Sequence, residues 1–362
     1  MIESLRNKFV KERFDLQEIL LVPVFATVLA LLIGCFFLLA TGESFANIFV
    51  AYSSLFIGSL GSLNAISETF TAATPLVFAA LGIALAFRAG LFNIGAEGQM
   101  IIGGLATVIV GFSIDFLPIW IHLPLALSIG ALFGALYAAI AGWLKAYTGA
   151  HEVISTIMLN LIALRLLDYV LRSPIIQKEG RNDPISKSIL DSAELPQILA
   201  FIDPQLRLHG GFLLMLVAVF FIYWLLFHTT IGYEFRTTGA NPNAAKYGGI
   251  KAGLTIVLVM AIAGALAGLA GANQITGVLG RASPGFSASI GFDAIAVALL
   301  GRSHPIGVLF AGLLFGALIA GGRLMQVKAG VSVDLITIIQ ALIIVFIAAP
   351  LLVKKSLPWF FK

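Results

Sequence analysis

The sequence predicts an all-α protein embedded in a membrane, and three observations carry that prediction. Of its 362 residues 59% are apolar or aromatic, only 11% are charged, and the mean hydropathy is +1.02, whereas a soluble domain carries roughly 25% charge. The apolar residues gather in runs of about twenty, the length a helix needs to cross a hydrocarbon core ~30 Å thick. Glycine is abundant, at 37 residues, which suits helices packed closely in lipid. This composition excludes a soluble globular enzyme and a disordered chain. The single cysteine, Cys35, lies inside an apolar run, so no disulfide forms within the chain and no cysteine-based metal site can be built. A net charge of +4 is too small and too dispersed to imply nucleic acid.

Taken in order, ten spans are predicted, at about 19–40, 70–88, 94–112, 119–143, 152–171, 210–228, 252–276, 288–301, 304–322 and 333–352. Residues 1–18 form an amphipathic arm with Arg6, Lys8, Lys11 and Arg13; the run behind it is too long for a secretory signal and reads as a retained first helix. The membrane domain is thus 19–352, followed by a tail at 353–362. Residues 45–64 are apolar but punctuated by Ser and Gly, which suits an interfacial segment. The eighth span is short and polar and reads as re-entrant or broken.

Lys and Arg accumulate in cytoplasmic loops. The basic arm, Arg88, Lys145, the 229–251 loop with Arg236, Lys246 and Lys251, Arg302, and the terminal Lys354, Lys355 and Lys362 place both termini in the cytoplasm. Loop 172–209, with five bases against five acids, is long enough for a small folded external cap; Arg281, Arg323 and Lys328 run against the pattern. Ile94-Gly95-Ala96-Glu97 and Ile290-Gly291-Phe292-Asp293 share one form, each after a Phe-containing turn and each opening a Gly- and Ala-rich run. They lie five spans apart and so point in opposite directions, the signature of an inverted repeat.

The most informative stretch is Phe87-Arg88-Ala89-Gly90-Leu91-Phe92-Asn93-Ile94-Gly95-Ala96-Glu97-Gly98-Gln99-Met100. It sets Asn93, Glu97 and Gln99 where lipid belongs, and intramembrane polar groups need partners or a water-filled cavity. It also resembles the signature of permease subunits of ABC importers of the ribose and nucleoside type. So do Glu152-Val-Ile-Ser-Thr-Ile-Met-Leu-Asn160, the stretch Gly239-Ala-Asn241-Pro-Asn-Ala-Ala-Lys-Tyr-Gly-Gly-Ile250, and Gly291-Phe-Asp293 through Gly301 with His304-Pro305-Ile-Gly307. The resemblance covers spans two to nine in order and is closest to the longer nucleoside permease, within the branched-chain amino acid and sugar permease superfamily. It implies a bacterial inner-membrane subunit that translocates nucleosides, or alternatively a ribose-like sugar. It further implies a second, shorter permease as heterodimer partner (a homodimer is the alternative), an extracytoplasmic solute-binding protein, and an ATPase with two nucleotide-binding domains that holds ATP and Mg.

No Gly-x4-Gly-Lys-Ser/Thr occurs, so the chain offers ATP no P-loop, and no cofactor of its own is expected. In the 229–251 loop Asn241 is a ready N-cap, Pro242 suits a first turn, and Gly248-Gly249 end a two-turn helix. With Glu234, Arg236, Asn243, Ala244, Ala245, Lys246 and Tyr247, this is the candidate contact with the ATPase; a capped connector is the alternative reading. The candidate substrate pathway is Phe92, Asn93, Glu97, Gln99, Asn160, Phe292 and Asp293. Glu97 and Asp293 either line the route or cap helix N-termini, and Asn160 either touches substrate or binds helices together. Phe286 joins Phe92 and Phe292 as an aromatic near the route.

Arg165 and Asp168, three apart, are expected to pair, and Ser155, Thr156 and Ser287 to be satisfied within helices. His122, His151, His209, His228 and His304 lack metal-ligand spacing. Gly-x3-Gly pairs at 130/134, 264/268 and 312/316 mark candidate tight crossings. An ion-coupled transporter would use Glu97 and Asp293 as a relay, but no further acids extend it. A membrane enzyme lacks a catalytic constellation.

Overall fold

The computed structural model describes residues 16–332 and 334–348; the bases of the N-terminal arm and the tail 353–362 lie outside the described residues. Among the described residues thirteen α-helices follow one another and no strand forms. They are α1 (Leu16–Ala40), α2 (Phe45–Leu60), α3 (Leu63–Arg88), α4 (Ala96–Ser113), α5 (Ile119–Trp143), α6 (Glu152–Leu171), α7 (Gly211–His228), α8 (Thr230–Ala240), α9 (Pro242–Tyr247), α10 (Ala252–Gln274), α11 (Ile290–Leu300), α12 (Pro305–Ala329) and α13 (Asp334–Ala348). Seven of these, α3 to α7, α10 and α12, are long and apolar enough to cross a membrane. The ten runs read from the sequence each fall on a helix, α1, α3 to α7 and α10 to α13.

Local chemistry sets the boundaries. Helix α3 starts seven residues before the apolar run at 70, because Ser62 accepts from the Ala65 N–H at 3.1 Å as its N-cap; the polar Asn64, Ser67 and Glu68 hide this turn from hydropathy. Helices α5 and α10 each run on into a π-turn, Leu144–Thr148 and Ile275–Leu279, closed by Gly149 and Gly280 with φ of 74° and 66°. On α6, Asp168 pairs with Arg172 at 3.3 Å rather than with Arg165, since the i,i+4 step with the acid N-terminal is the better geometry.

Two compact units divide the chain, Ile57–Gly321 and the stretches flanking it on either side. Within the flanking unit α1 packs on α13: Gly34 lies against Ile339 and Tyr52, whose hydroxyl donates to the Leu31 carbonyl at 2.7 Å. In the larger unit α10 is central. A Cβ on Gly268 would lie 2.4 Å from the Gly130 carbonyl oxygen and one on Gly134 2.3 Å from that of Gly264, so the Gly-x3-Gly pairs of α5 and α10 meet backbone to backbone. Gly271 seats against the Met100 carbonyl of α4 and Gly82 of α3 against that of Ala263; Gly312 and Gly316 of α12 lie on α3 at Val77 and at Thr69 and Ala73.

Residues 172–210 fold into a small cap over helix ends, with a 3₁₀ turn at Asp191–Ala193 and antiparallel bridges from Gln177 to Ser186 and from Gln197 to His209. Hydrogen bonds fasten it to helix ends: Leu190 N–H to the Gly111 carbonyl (2.9 Å), Leu208 N–H to Ser67 Oγ (3.0 Å), and His122 to Ser192 (2.7 Å). At the other end of α3, Gly239 of α8 lies on the backbone of Arg88, Ala89 and Gly90. Between Ser67 and Arg88 the helix rises about 32 Å at 1.5 Å per residue, the thickness of a hydrocarbon core. The cap and the α8–α9 pair therefore stand a membrane's thickness apart.

Candidate functional site

The site grows from the turn after α3. Gly90, with φ of 72°, lets Leu91 N–H return to the Ala86 carbonyl at 2.9 Å, closing the helix in the manner of a glycine C-cap. Asn93 Oδ1 then accepts from Gly95 N–H at 3.0 Å, and the Asn93 and Gln99 amides pair reciprocally at 3.1 and 3.0 Å. These bonds fold 91–95 back onto the start of α4.

A helix start leaves four backbone N–H groups without intrahelical partners, and the residue at the N-cap of α4 is Gly95, with no side chain to offer. Asn160 of α6 caps it instead, accepting from Gly98 N–H at 2.8 Å and donating to the Ile94 carbonyl at 2.9 Å. Helix α11 repeats the arrangement. Its N-cap, Ser289, has a left-handed φ of 62° and makes no side-chain cap bond. Glu97 of α4 supplies the cap, accepting from Gly291 N–H at 2.8 Å and from the Ser287 hydroxyl. Ser287 is thus spent on Glu97 rather than satisfied within a helix, because 281–289 is not helical. Ser155 and Thr156 bond to carbonyls one turn back, as expected.

The two Ile-Gly-x-acid motifs consequently touch: a Cβ on Gly291 would lie 2.3 Å from Glu97 N. The chain leaves the cap where Ser186 N–H donates to the Ala282 carbonyl (2.9 Å), passes Phe286 stacked on Gly104, and reaches Glu97. Helix α11 continues to the Arg302-Ser303 turn, where Arg88 Nε donates to the Ser303 carbonyl at 2.9 Å. Helix α11 takes up 290–300 of the eighth run and is preceded by turns at 284–289, and at about 16 Å it covers half a hydrocarbon core.

The pathway candidates divide into two sets. Asn93, Glu97, Gln99 and Asn160 are buried and hydrogen-bonded to backbone or to each other. Phe92 and Phe292 leave nearly half their surface open, at 47% and 45%, and Asp293 is half-buried in the first turn of α11. Arg88, Ser287 and Gly291 belong to the same arrangement in roles the sequence does not assign to them, because they act across 190 residues or more, where no local pattern reports the partner.

The coupling candidates lie at the opposite end from the cap. Asn241 caps α9, accepting from Asn243 and Ala244 N–H at 3.0 and 3.1 Å, with Pro242 in the first turn. Its N–H also closes α8 on the Thr237 carbonyl, so α8 and α9 share one junction residue. Asn241, Asn243, Ala244, Lys246 and Tyr247 are exposed, Tyr247 at 95%, and Ala245 alone of the helix is buried. Glu234 is half-buried on α8, and Arg236 lies with its guanidinium 5.5 Å from the Phe227 ring, turned to the bundle rather than outward. Among the described residues no cluster of three or more His, Cys, Asp or Glu could hold a metal ion.

Seven long apolar helices, two helix starts capped from neighbouring helices and an exposed short helix at one end describe a multi-pass membrane protein. The chain belongs to the family described as branched-chain amino acid transport system / permease component, which matches residues 65–348. It is similar to the guanosine ABC transporter permease protein NupP of Bacillus subtilis, 40% identical over 91% of this chain and 93% of the relative. It is also similar to the nucleoside ABC transporter permease protein NupB of Lactococcus lactis subsp. cremoris, 36% identical over 93% of each. The glucose ABC transporter permease protein TsgB13 of Haloferax volcanii is 35% identical over 90% of this chain and 86% of the relative. No solved structure matches the chain.

Proposed function

We propose that this chain is the nucleoside-translocating permease subunit of an ABC importer in a bacterial inner membrane. The observation that carries the mechanism is α9: a capped, exposed helix with only Ala245 buried, about 32 Å along α3 from the cap. A subunit without a P-loop needs such a lever for an outside ATPase to push. The proposal places α9 in the cytoplasm against an ATPase with two nucleotide-binding domains, which holds the ATP and Mg, and the cap outside, facing a solute-binding protein. Ten crossings, α1, α3 to α7 and α10 to α13, put both termini inside, with the paired motifs at 94–97 and 290–293 related as inverted repeats. A second, shorter permease completes the channel as a heterodimer, a homodimer being the simpler alternative.

In this reading Phe92, Phe292 and Asp293 face the substrate, the rings offering stacking to a nucleobase. Asn93, Glu97, Gln99 and Asn160 hold the wall that carries them. Nucleosides are favoured by the names of two relatives; a simple sugar is the second reading, favoured by the glucose permease at 35% identity. The test is uptake of labelled guanosine and glucose by proteoliposomes holding the purified transporter. Lys246→Glu, or proline at Ala244, is expected to abolish ATP-driven uptake while the chain still inserts. Normal ATP-driven uptake and normal ATPase co-purification in these variants, or uptake on a sodium or proton gradient without any ATPase, overturns the proposal.

A further inference from the structure

Helix α11 is held at both poles by one short segment. Glu97 accepts from Gly291 N–H at the start of α11, and Arg88 Nε donates to the Ser303 carbonyl just past its end. An acid at the N-terminal pole and a base at the C-terminal pole both complement the helix dipole. The segment 88–97 and α11 run antiparallel, and the ten residues easily reach along the 16 Å of the helix. Both ends of α11 are also set by left-handed pairs, Ala288-Ser289 (φ 46° and 62°) and Arg302-Ser303 (φ 51° each). Such backbone persists in non-glycine residues only where the surroundings dictate it.

The same segment is the seat of α8. A Cβ on Gly239 would lie 2.3 Å from the Arg88 carbonyl oxygen and 2.7 Å from the Ala89 carbonyl carbon, and one on Gly90 would lie 3.1 Å from the Gly239 Cα. At the far end a Cβ on Gly291 would likewise lie 2.3 Å from Glu97 N. Both joints are backbone against backbone, so no side chain can absorb a displacement by changing rotamer. Between α8 and α9 stands only Asn241, shared as cap by both.

We propose that residues 88–97 and α11 form one rigid gate element, bracketed by Arg88 and Glu97 as positioning residues and driven by α9 through the Gly239–Gly90 contact. Phe92, Phe292 and Asp293 all ride on this element, so its displacement moves the open face of the pathway. The drive rests on the reading of α9 as the contact with the ATPase; the bracket does not.

Two measurements test it on the purified transporter. In proteoliposomes, Gly239→Ala is expected to keep ATPase co-purification and hydrolysis within twofold while guanosine uptake per ATP falls at least tenfold; Ala240→Val, on the exposed neighbour, changes neither. Arg88→Gln is expected to lower uptake per ATP and Arg88→Lys to restore part of it, a pattern that simple misfolding does not give. By amide exchange, Arg88→Gln and Glu97→Ala are expected to speed exchange over 288–303 at least tenfold and leave α5 unchanged, whereas Gly239→Ala leaves 288–303 protected. Unchanged uptake per ATP in Gly239→Ala overturns the drive, and wild-type exchange in both bracket variants overturns the bracket. Absence of any ATPase from the wild-type preparation counts against the proposed function instead, and exchange, which needs only the folded chain, still decides the bracket.

Discussion

Asn160 discriminates between a wall residue and a substrate contact. In Asn160→Ala the Gly98 N–H loses its acceptor and the Ile94 carbonyl its donor. A buried backbone group left without a partner costs about 1–3 kcal/mol, so two of them cost about 2–6 kcal/mol. Thermal unfolding in detergent reads this directly: at about 2–4 °C per kcal/mol for a domain of this order, the midpoint falls by roughly 4–24 °C. Asn160→Asp keeps an acceptor for Gly98 but sets a carboxylate oxygen against the Ile94 carbonyl, and is expected to fall between Ala and wild type at low pH, where the acid is protonated and donates. Because both ends of the Asn160 amide are engaged by backbone, uptake normalised to inserted protein should keep its KM. A midpoint shift below about 2 °C together with a tenfold change in KM refutes the reasoning and makes Asn160 a substrate contact.

The remaining predictions concern the cap and the central crossing. His209 is fully buried, its Nδ1 accepts from Gly211 N–H at 3.3 Å, and burial, with Arg207 adding to it, pushes the imidazole down to about 4. An opened cap takes up a proton near pH 6.5 and a docked one only near 4, so docking is strongest above pH 6.5 and loses about 3 kcal/mol as pH falls through that window. Limited proteolysis within 172–210 should accelerate from pH 7.5 to 5, and His209→Gln should remove the pH dependence; a flat wild-type profile refutes it. In α10, Gly268→Ala places a methyl 2.4 Å from the Gly130 carbonyl and should lower the unfolding midpoint by the equivalent of about 1–3 kcal/mol. Gly253→Ala on the same helix, whose nearest neighbour is 3.8 Å away, should be neutral or stabilising; equal effects at the two positions refute the crossing.

The parts of this fold that the sequence announces are those whose physics is local. Runs such as 252–276 declare helices because lipid demands it, Asn241-Pro242 declares α9 because caps act within three residues, and Gly264/Gly268 declares a crossing because small residues must recur on one face. What stays hidden acts at a distance. Glu97 was legible as a cap, but not as the cap of a helix 190 residues on, and Asn160 was legible as glue without the helix it glues. Arg88 reads as a loop charge until Ser303 is found beside it. Asp168 shows the same limit at short range: two arginines lie within reach on one helix, and the sequence does not choose between them.

The trans caps bear on how such a bundle can move. A helix capped by its own N-cap residue can shift against its neighbours at no cost in hydrogen bonds. Here α6 caps α4 and α4 caps α11, so separating any pair strips a buried helix start of its acceptor, at about 1–3 kcal/mol per group. The three helices are therefore expected to travel together, and in the proposed transport cycle the bundle opens along boundaries that carry no such bonds. The polar residues that look out of place in lipid serve, on this argument, to decide which helices count as one body. That explains why so few are needed and why they cluster where the two motifs meet.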